Sequence, residues 1–146
     1  MKKIIFFLVV AILILFSISK LYTSPEKKML RDFANDVINE NVKLEKIIDK
    51  YIICDKRAIE INVLVLEHFR SEYKKRPSSV SVHTYKERKD DKIFEGLVSD
   101  NYEKVYLIDF GEKLHMSILL NKDSKIIAIS TMNKGGTRFF IITGGN

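Results

Sequence analysis

The chain has 146 residues, the size of one ordinary domain, and its 46% hydrophobic and 30% charged content excludes wholesale disorder, a collagen-like repeat and a multi-pass membrane protein. A single cysteine, Cys54, excludes an intrachain disulfide framework and a cysteine-rich zinc site. The net charge of +6 falls to +4 when residues 1–19 are set aside, since they hold Lys2, Lys3 and no acid; so small an excess does not call for a nucleic-acid partner.

Lys2 and Lys3 precede thirteen unbroken apolar residues, 4–16, and then Ser17-Ile18-Ser19 before Lys20. That layout predicts a secretory signal or a single membrane anchor over 1–23, followed by a domain over 24–146. Residues 4–19 would reach roughly 24 Å as a helix, enough to span a bilayer with lysines snorkelling at both ends. Cleavage and retention both stay open: uncleaved, the segment makes the membrane a partner; cleaved, the domain is secreted or periplasmic. Lys20, Lys27, Lys28 and Arg31 outnumber Lys2 and Lys3, which by the positive-inside count alone would keep the domain cytoplasmic. The short basic tip before the apolar run favours export, and no cysteine near residue 20 offers a lipoprotein anchor.

Ser24-Pro25-Glu26 supplies a cap, a proline for the first helical position and an acid for the first turn, predicting a helix. Leu30, Phe33, Ala34, Val37 and Ile38 give it one apolar face. Asn39-Glu40-Asn41 predicts a tight bend, and Leu44, Ile47, Ile48 and Tyr51 a second, shorter helix. After the link Ile52-Ile53-Cys54, Asp55 is placed to cap a third helix running to about Lys75 and ended by Arg76-Pro77. The alternation of Ile59, Ile61, Val63 and Val65 also fits a strand, but Phe69 and Tyr73 continue at helical spacing. The basic run Lys74-Lys75-Arg76 then complements the dipole at the helix end.

From Ser79 the period changes to two and turn residues recur, predicting strands at 79–87, 92–98, 104–110, 113–120, 125–132 and 137–143. Gly111-Glu112, Lys122-Asp123 and the Lys134-Gly135-Gly136 region connect them. Three helices followed by an antiparallel meander make an α+β fold.

The order helix, Asn-Glu-Asn bend, short helix, third helix and long sheet resembles the nuclear transport factor 2-like, or cystatin-like, superfamily. Phe33 to Val42 (FANDVINENV) is similar to the first helix and bend of such domains. Leu119 to Ile127 (LLNKDSKII) is similar to their penultimate hairpin, especially in small exported bacterial members of unknown function. The resemblance covers about 25–143. It implies a cone-shaped roll whose helices close over the concave face of the sheet, often dimeric through the convex face, in a superfamily that includes isomerases, dehydratases and members without known activity.

Two-residue turns would place Val105, Leu107, Asp109, Leu114, Met116, Ile118, Thr131 and Arg138 on one face, the more continuously apolar one, and so against the helices. Asp109, Thr131 and Arg138 would then ring the mouth of the cone and could orient an anionic or hydroxylated ligand, with Asp109 as a candidate general base; equally, they could be polar strand ends or an ordinary ion pair. The opposite face would expose Ile108, Phe110, Leu119, Ile126, Phe139 and Ile141, too many large apolar groups for a wet monomer, which predicts a cover for it: a second copy in a homodimer or another partner, or else the C-terminal strand and residues 93–98 folded across it. His68, His83 and His115 show no metal-binding spacing and are read as structural or surface residues, and Cys54 as an inert, buried thiol. No metal or cofactor is expected. Two functions result: a non-catalytic extracytoplasmic module binding an unknown small molecule or protein, or a small-molecule isomerase, dehydratase or hydrolase with its pocket inside the cone.

Overall fold

The computed structural model describes residues 23–144. The apolar run at 4–19, expected to be a signal or anchor, lies outside those residues; among the described ones no helix is long and apolar enough to cross a membrane.

The N-terminal half is helical, as its sequence pattern predicts. Helix α1 (Pro25–Ile38) starts where the Ser24 hydroxyl accepts from the Lys27 N–H, and it buries Leu30, Phe33, Ala34 and Val37. At the Asn-Glu-Asn bend the Asn39 side chain accepts from the Asn41 N–H, and α2 (Leu44–Tyr51) follows, burying Leu44, Ile47, Ile48 and Tyr51. Helix α3 (Lys56–Lys75) runs to the arginine before Pro77. Its Arg70 reaches across to α1 and donates to the carbonyls of Val37, at 2.7 Å, and Val42, at 2.9 Å. Those are carbonyls a helix end and a bend leave without partners, so one planar guanidinium closes both. At the far end of α3, Lys74 pairs with Glu40 and Lys75 with Glu72, so the basic run is a paired helix terminus.

The other half folds into two sheets. The first comprises β1 (Val80–Thr84), β3 (Val105–Phe110), β4 (His115–Leu120) and β5 (Ile126–Ala128), in the order β1-β3-β4-β5, all antiparallel. The second is smaller: β2 (Leu97–Val98) lies parallel to β7 (Thr137–Phe140), which pairs antiparallel with β6 (Thr131–Lys134). The structure is thus α+β, but the single meander expected over 79–143 is interrupted. Residues 125–132 divide at Ile129-Ser130, where the chain leaves one sheet for the other. The expected strand 92–98 is a 3-10 turn, Lys92–Phe94, and a two-residue strand. The expected strand 79–87 stops at Thr84, because Thr84 and Glu87 form a reciprocal capping box that starts a helical turn, α4 (Tyr85–Arg88).

Register decides which face meets the helices. The β3–β4 turn holds three residues, Gly111, Glu112 and Lys113, because the Phe110 N–H donates to the Leu114 carbonyl, and Asp109 therefore pairs with His115. Gly111 adopts φ 81°, and a side chain there would meet the Ser78 hydroxyl at 2.3 Å. The next turn also holds three residues, 122–124, with Ser124 at φ 59°. Beyond it the register shifts so that Leu120 faces Ile126 and Leu119 faces Ala128, with Ile127 as the extra residue.

The expected face assignment is therefore reversed along β3. Tyr106, Ile108 and Phe110, with Met116, Ile118, Leu120 and Ile126, pack under the helices, while Val105, Leu107, Leu119 and Ala128 face Phe94 and Leu97 on the other side. Of the six residues assigned to a dimer interface, Ile108, Phe110 and Ile126 are buried beneath the helices and Leu119 in the second cluster; only Phe139 and Ile141 are exposed. The first sheet is covered on both sides, which is why β3 is buried along its whole length.

The segment after β7 is pinned to the helical layer. The Thr143 carbonyl accepts from the Asp55 N–H at 2.8 Å, and its hydroxyl meets buried Asn62 of α3 at 3.2 Å.

Candidate functional site

Ser81, Asp109 and His115 form one cross-strand row, because Ser81 pairs with Asp109 and Asp109 with His115 in adjacent ladders. His83, two residues along β1, points to the same face, opposite Leu107. The capping box then turns the chain so that Arg88, at the end of α4, comes back over the row.

Asp109 is only 7% exposed, and both its oxygens are engaged. Oδ1 lies 2.6 Å from His115 Nδ1, and Oδ2 lies 2.9 Å from an Arg88 Nη and 3.4 Å from His83 Nε2. A carboxylate only accepts, so His115 Nδ1 carries the proton and donates, which leaves Nε2 as the acceptor of the neutral ring. Arg88 also binds Asp91; that hydrogen bond first, and then the charge of Asp109, hold its guanidinium above its ordinary pKa against the opposing effect of burial.

Ser81, His83 and Asp109 contain the residue types of a nucleophilic triad but not its geometry. The Ser81 hydroxyl stands 3.0 Å from His83 Nε2, the same nitrogen that faces Asp109. A relay needs the acid and the nucleophile on opposite ring nitrogens, and here they compete for one.

An open depression of about 490 Å³ lies beside the cluster, lined by Arg88, Asp91, Lys92, Ile93, Leu107 and His115 among others. No hydroxyl or thiol lines it, and His115 Nε2 makes no hydrogen bond among the described residues. The arrangement can present one imidazole nitrogen, steadied by a buried carboxylate, together with charges of both signs. Among the described residues no group of His, Cys, Asp and Glu is placed to hold a metal ion.

Of the three expected pocket residues, Asp109 stands in the cluster and the other two do not. Thr131 pairs with Phe140 in the second sheet, and Arg138 on β7 donates through a guanidinium nitrogen to the Ile93 carbonyl. Arg138 thus braces the wall of the depression from behind, since Ile93 lines it. Asp109 also faces away from the helices, so its site is on the opposite side of the sheet from the expected cone. Arg88, His83 and His115 were missed as its partners. The Thr84-x-x-Glu87 spacing, read as a cap, would have turned the chain and located Arg88. A three-residue turn at Gly111 would have set His115 opposite Asp109. His68 lies on the exposed face of α3 against the Phe69 ring, and Cys54 is a half-buried free thiol beside the main core.

No protein-family model matches this chain, and neither does any curated protein or solved structure.

Proposed function

We propose that this chain is a non-catalytic binding module held at the extracytoplasmic face of a membrane by residues 4–19, and that the depression beside His115 is its contact site for a polar ligand or peptide segment. The observation that carries this reading is the saturation of Asp109. Both oxygens of that carboxylate are engaged by Arg88, His115 and His83 and it does not itself line the depression, so its role is to fix the side chains around it. Asp91, Lys92 and His115 then supply both donors and acceptors at an open surface, which suits recognition more than an enclosed reaction. The order of three helices followed by a sheet supports the likeness to nuclear transport factor 2-like domains; the separate small sheet departs from a single continuous roll.

One observation favours a second reading. The short Asp109–His115 contact gives an imidazole suited to general-base work in an isomerase, dehydratase or hydrolase. Native mass spectrometry of the full chain, solubilised from its host's membranes, separates the two. A co-purifying species that disappears in His115→Ala and is returned unchanged after incubation supports the module. Conversion of that species by the wild type but not by His115→Ala supports the enzyme, and a wild-type chain with nothing bound argues against the depression as a site.

A further inference from the structure

The outer face of the small sheet is apolar and open. Val98, Phe139 and Met132 stand side by side in the β2-β7-β6 ladder and are 49%, 40% and 52% exposed. Ile141 and Ile142, just beyond β7, are 37% and 58% exposed. A groove of about 500 Å³ continues this surface, with Val98, Phe139, Phe140 and Ile142 on its apolar side and Asn121 and Lys122 on its rim.

The place where the N-terminal segment joins the domain lies at the same end. Glu26, in the first turn of α1, meets the Ser124 hydroxyl at 3.1 Å and Lys104 at 3.6 Å. Ser124 closes the hairpin turn that carries Asn121 and Lys122, and Lys104 follows the Ser99-Asp100-Asn101 wall of the groove. From residue 16 to residue 24 a fully extended chain spans at most ~29 Å, so a bilayer holding the apolar run at 4–16 would lie within reach of this end of the domain.

We infer that this face, Val98, Met132, Phe139, Ile141 and Ile142, rests on the lipid bilayer that holds residues 4–19. The inference rests on the anchor reading in Proposed function. Five large side chains are few beside the roughly 20–30 residues per partner of a stable protein interface. A tether changes that arithmetic, because a weak surface contact becomes intramolecular and needs no large area. With Lys122 and Asp100 both at the groove, contact comes from apolar side chains entering the headgroup boundary and does not require anionic lipid.

The chain contains no tryptophan, so a single introduced indole reports its surroundings without background. Three variants of the full chain, Phe139→Trp, Leu64→Trp and Phe7→Trp, are reconstituted in phosphatidylcholine vesicles with acyl chains brominated ~5–10 Å below the headgroups. Leu64 is the control, 64% exposed but on α3, in the helix layer across the first sheet. The expected result is that Phe139→Trp emission shifts to the blue and falls by about half, a depth effect of shallow insertion, while Leu64→Trp stays unquenched. Phe7→Trp quenched with Phe139→Trp unquenched and open to aqueous iodide overturns the inference and leaves the anchor standing. Blue-shifted Phe139→Trp emission reached by neither quencher also overturns it, because another part of the chain or a second copy then covers the face. Unquenched Phe7→Trp sinks the anchor reading, and the inference with it.

Discussion

The two sheets are built from the same half of the chain, yet one is covered on both faces and the other on one. In the first, helices and the β2 region leave no side of β3 in water, and its one charged residue, Asp109, is matched by three partners. In the second, Phe140 packs inward while its neighbour Phe139 faces out. The contrast separates what holds the fold from what is free for a partner. Burial on both faces spends every side chain on stability, whereas one-sided burial leaves a surface whose composition stability does not set.

The largest effect is expected where the first sheet meets the helices. Ile108→Ala empties a fully buried position and should cost about 2–5 kcal/mol, read as a shifted urea midpoint. Asp109→Asn leaves Arg88 and two histidines without their shared carboxylate. A loss of roughly 2–4 kcal/mol is expected, and the His115 ring signals should move in an NMR spectrum. Loss of the same size with unmoved His115 signals would contradict the geometry of the row.

Gly96→Ala probes the joint between the sheets. Gly96 adopts φ 71°, and a side chain there would stand 2.4 Å from the Gly136 carbonyl oxygen. The expected cost is about 1–3 kcal/mol, with hydrogen exchange rising in β2 and β7 before β3. Uniform exchange would mean that the two sheets open together.

A smaller effect is expected at Glu87, which ties α4 to α1. The hydrogen bond from Lys27, joined by those from Thr84, holds its carboxyl at about 2 against an ordinary 4.5. A lowered carboxyl stabilises the folded state above pH 4.5, and that contribution is lost as the pH falls toward 2. The side chain is 48% exposed, so solvent screens the pair and the contribution stays under about 1 kcal/mol. Thermal unfolding of Glu87→Gln should show a shallower fall in Tm between pH 4.5 and pH 2 than the wild type. Smallest of all, Phe139→Ser should change stability by no more than about 0.5 kcal/mol. A cost near that of Ile108→Ala would mean that the outer face is already occupied within the chain.

The helices were legible because their signals are local. Ser24-Pro25 marks a start, Arg76-Pro77 an end, and Leu44, Ile47, Ile48 and Tyr51 are the residues α2 buries. The face of β3 was not, since it depends on the length of a turn. Reading Gly111-Glu112 as two residues rather than three moves every partner by one and exchanges the two faces. Apolarity could not arbitrate, because both faces of β3 are buried. Asp109 was recognisable as an unusual residue in an apolar run, but its partners come from β1, β4 and α4, and only correct register and the Thr84 cap bring them together.

The Arg70 clamp has a consequence for the order in which the molecule is made. The carbonyls that end α1 and the bend after it find their donor on a residue 33 and 28 positions later. During synthesis the first two helices emerge before that donor exists. The end of α1 and the bend acquire this donor only when α3 arrives, so a chain halted before residue 70 leaves both carbonyls open, a hairpin exposed to a chaperone or a protease.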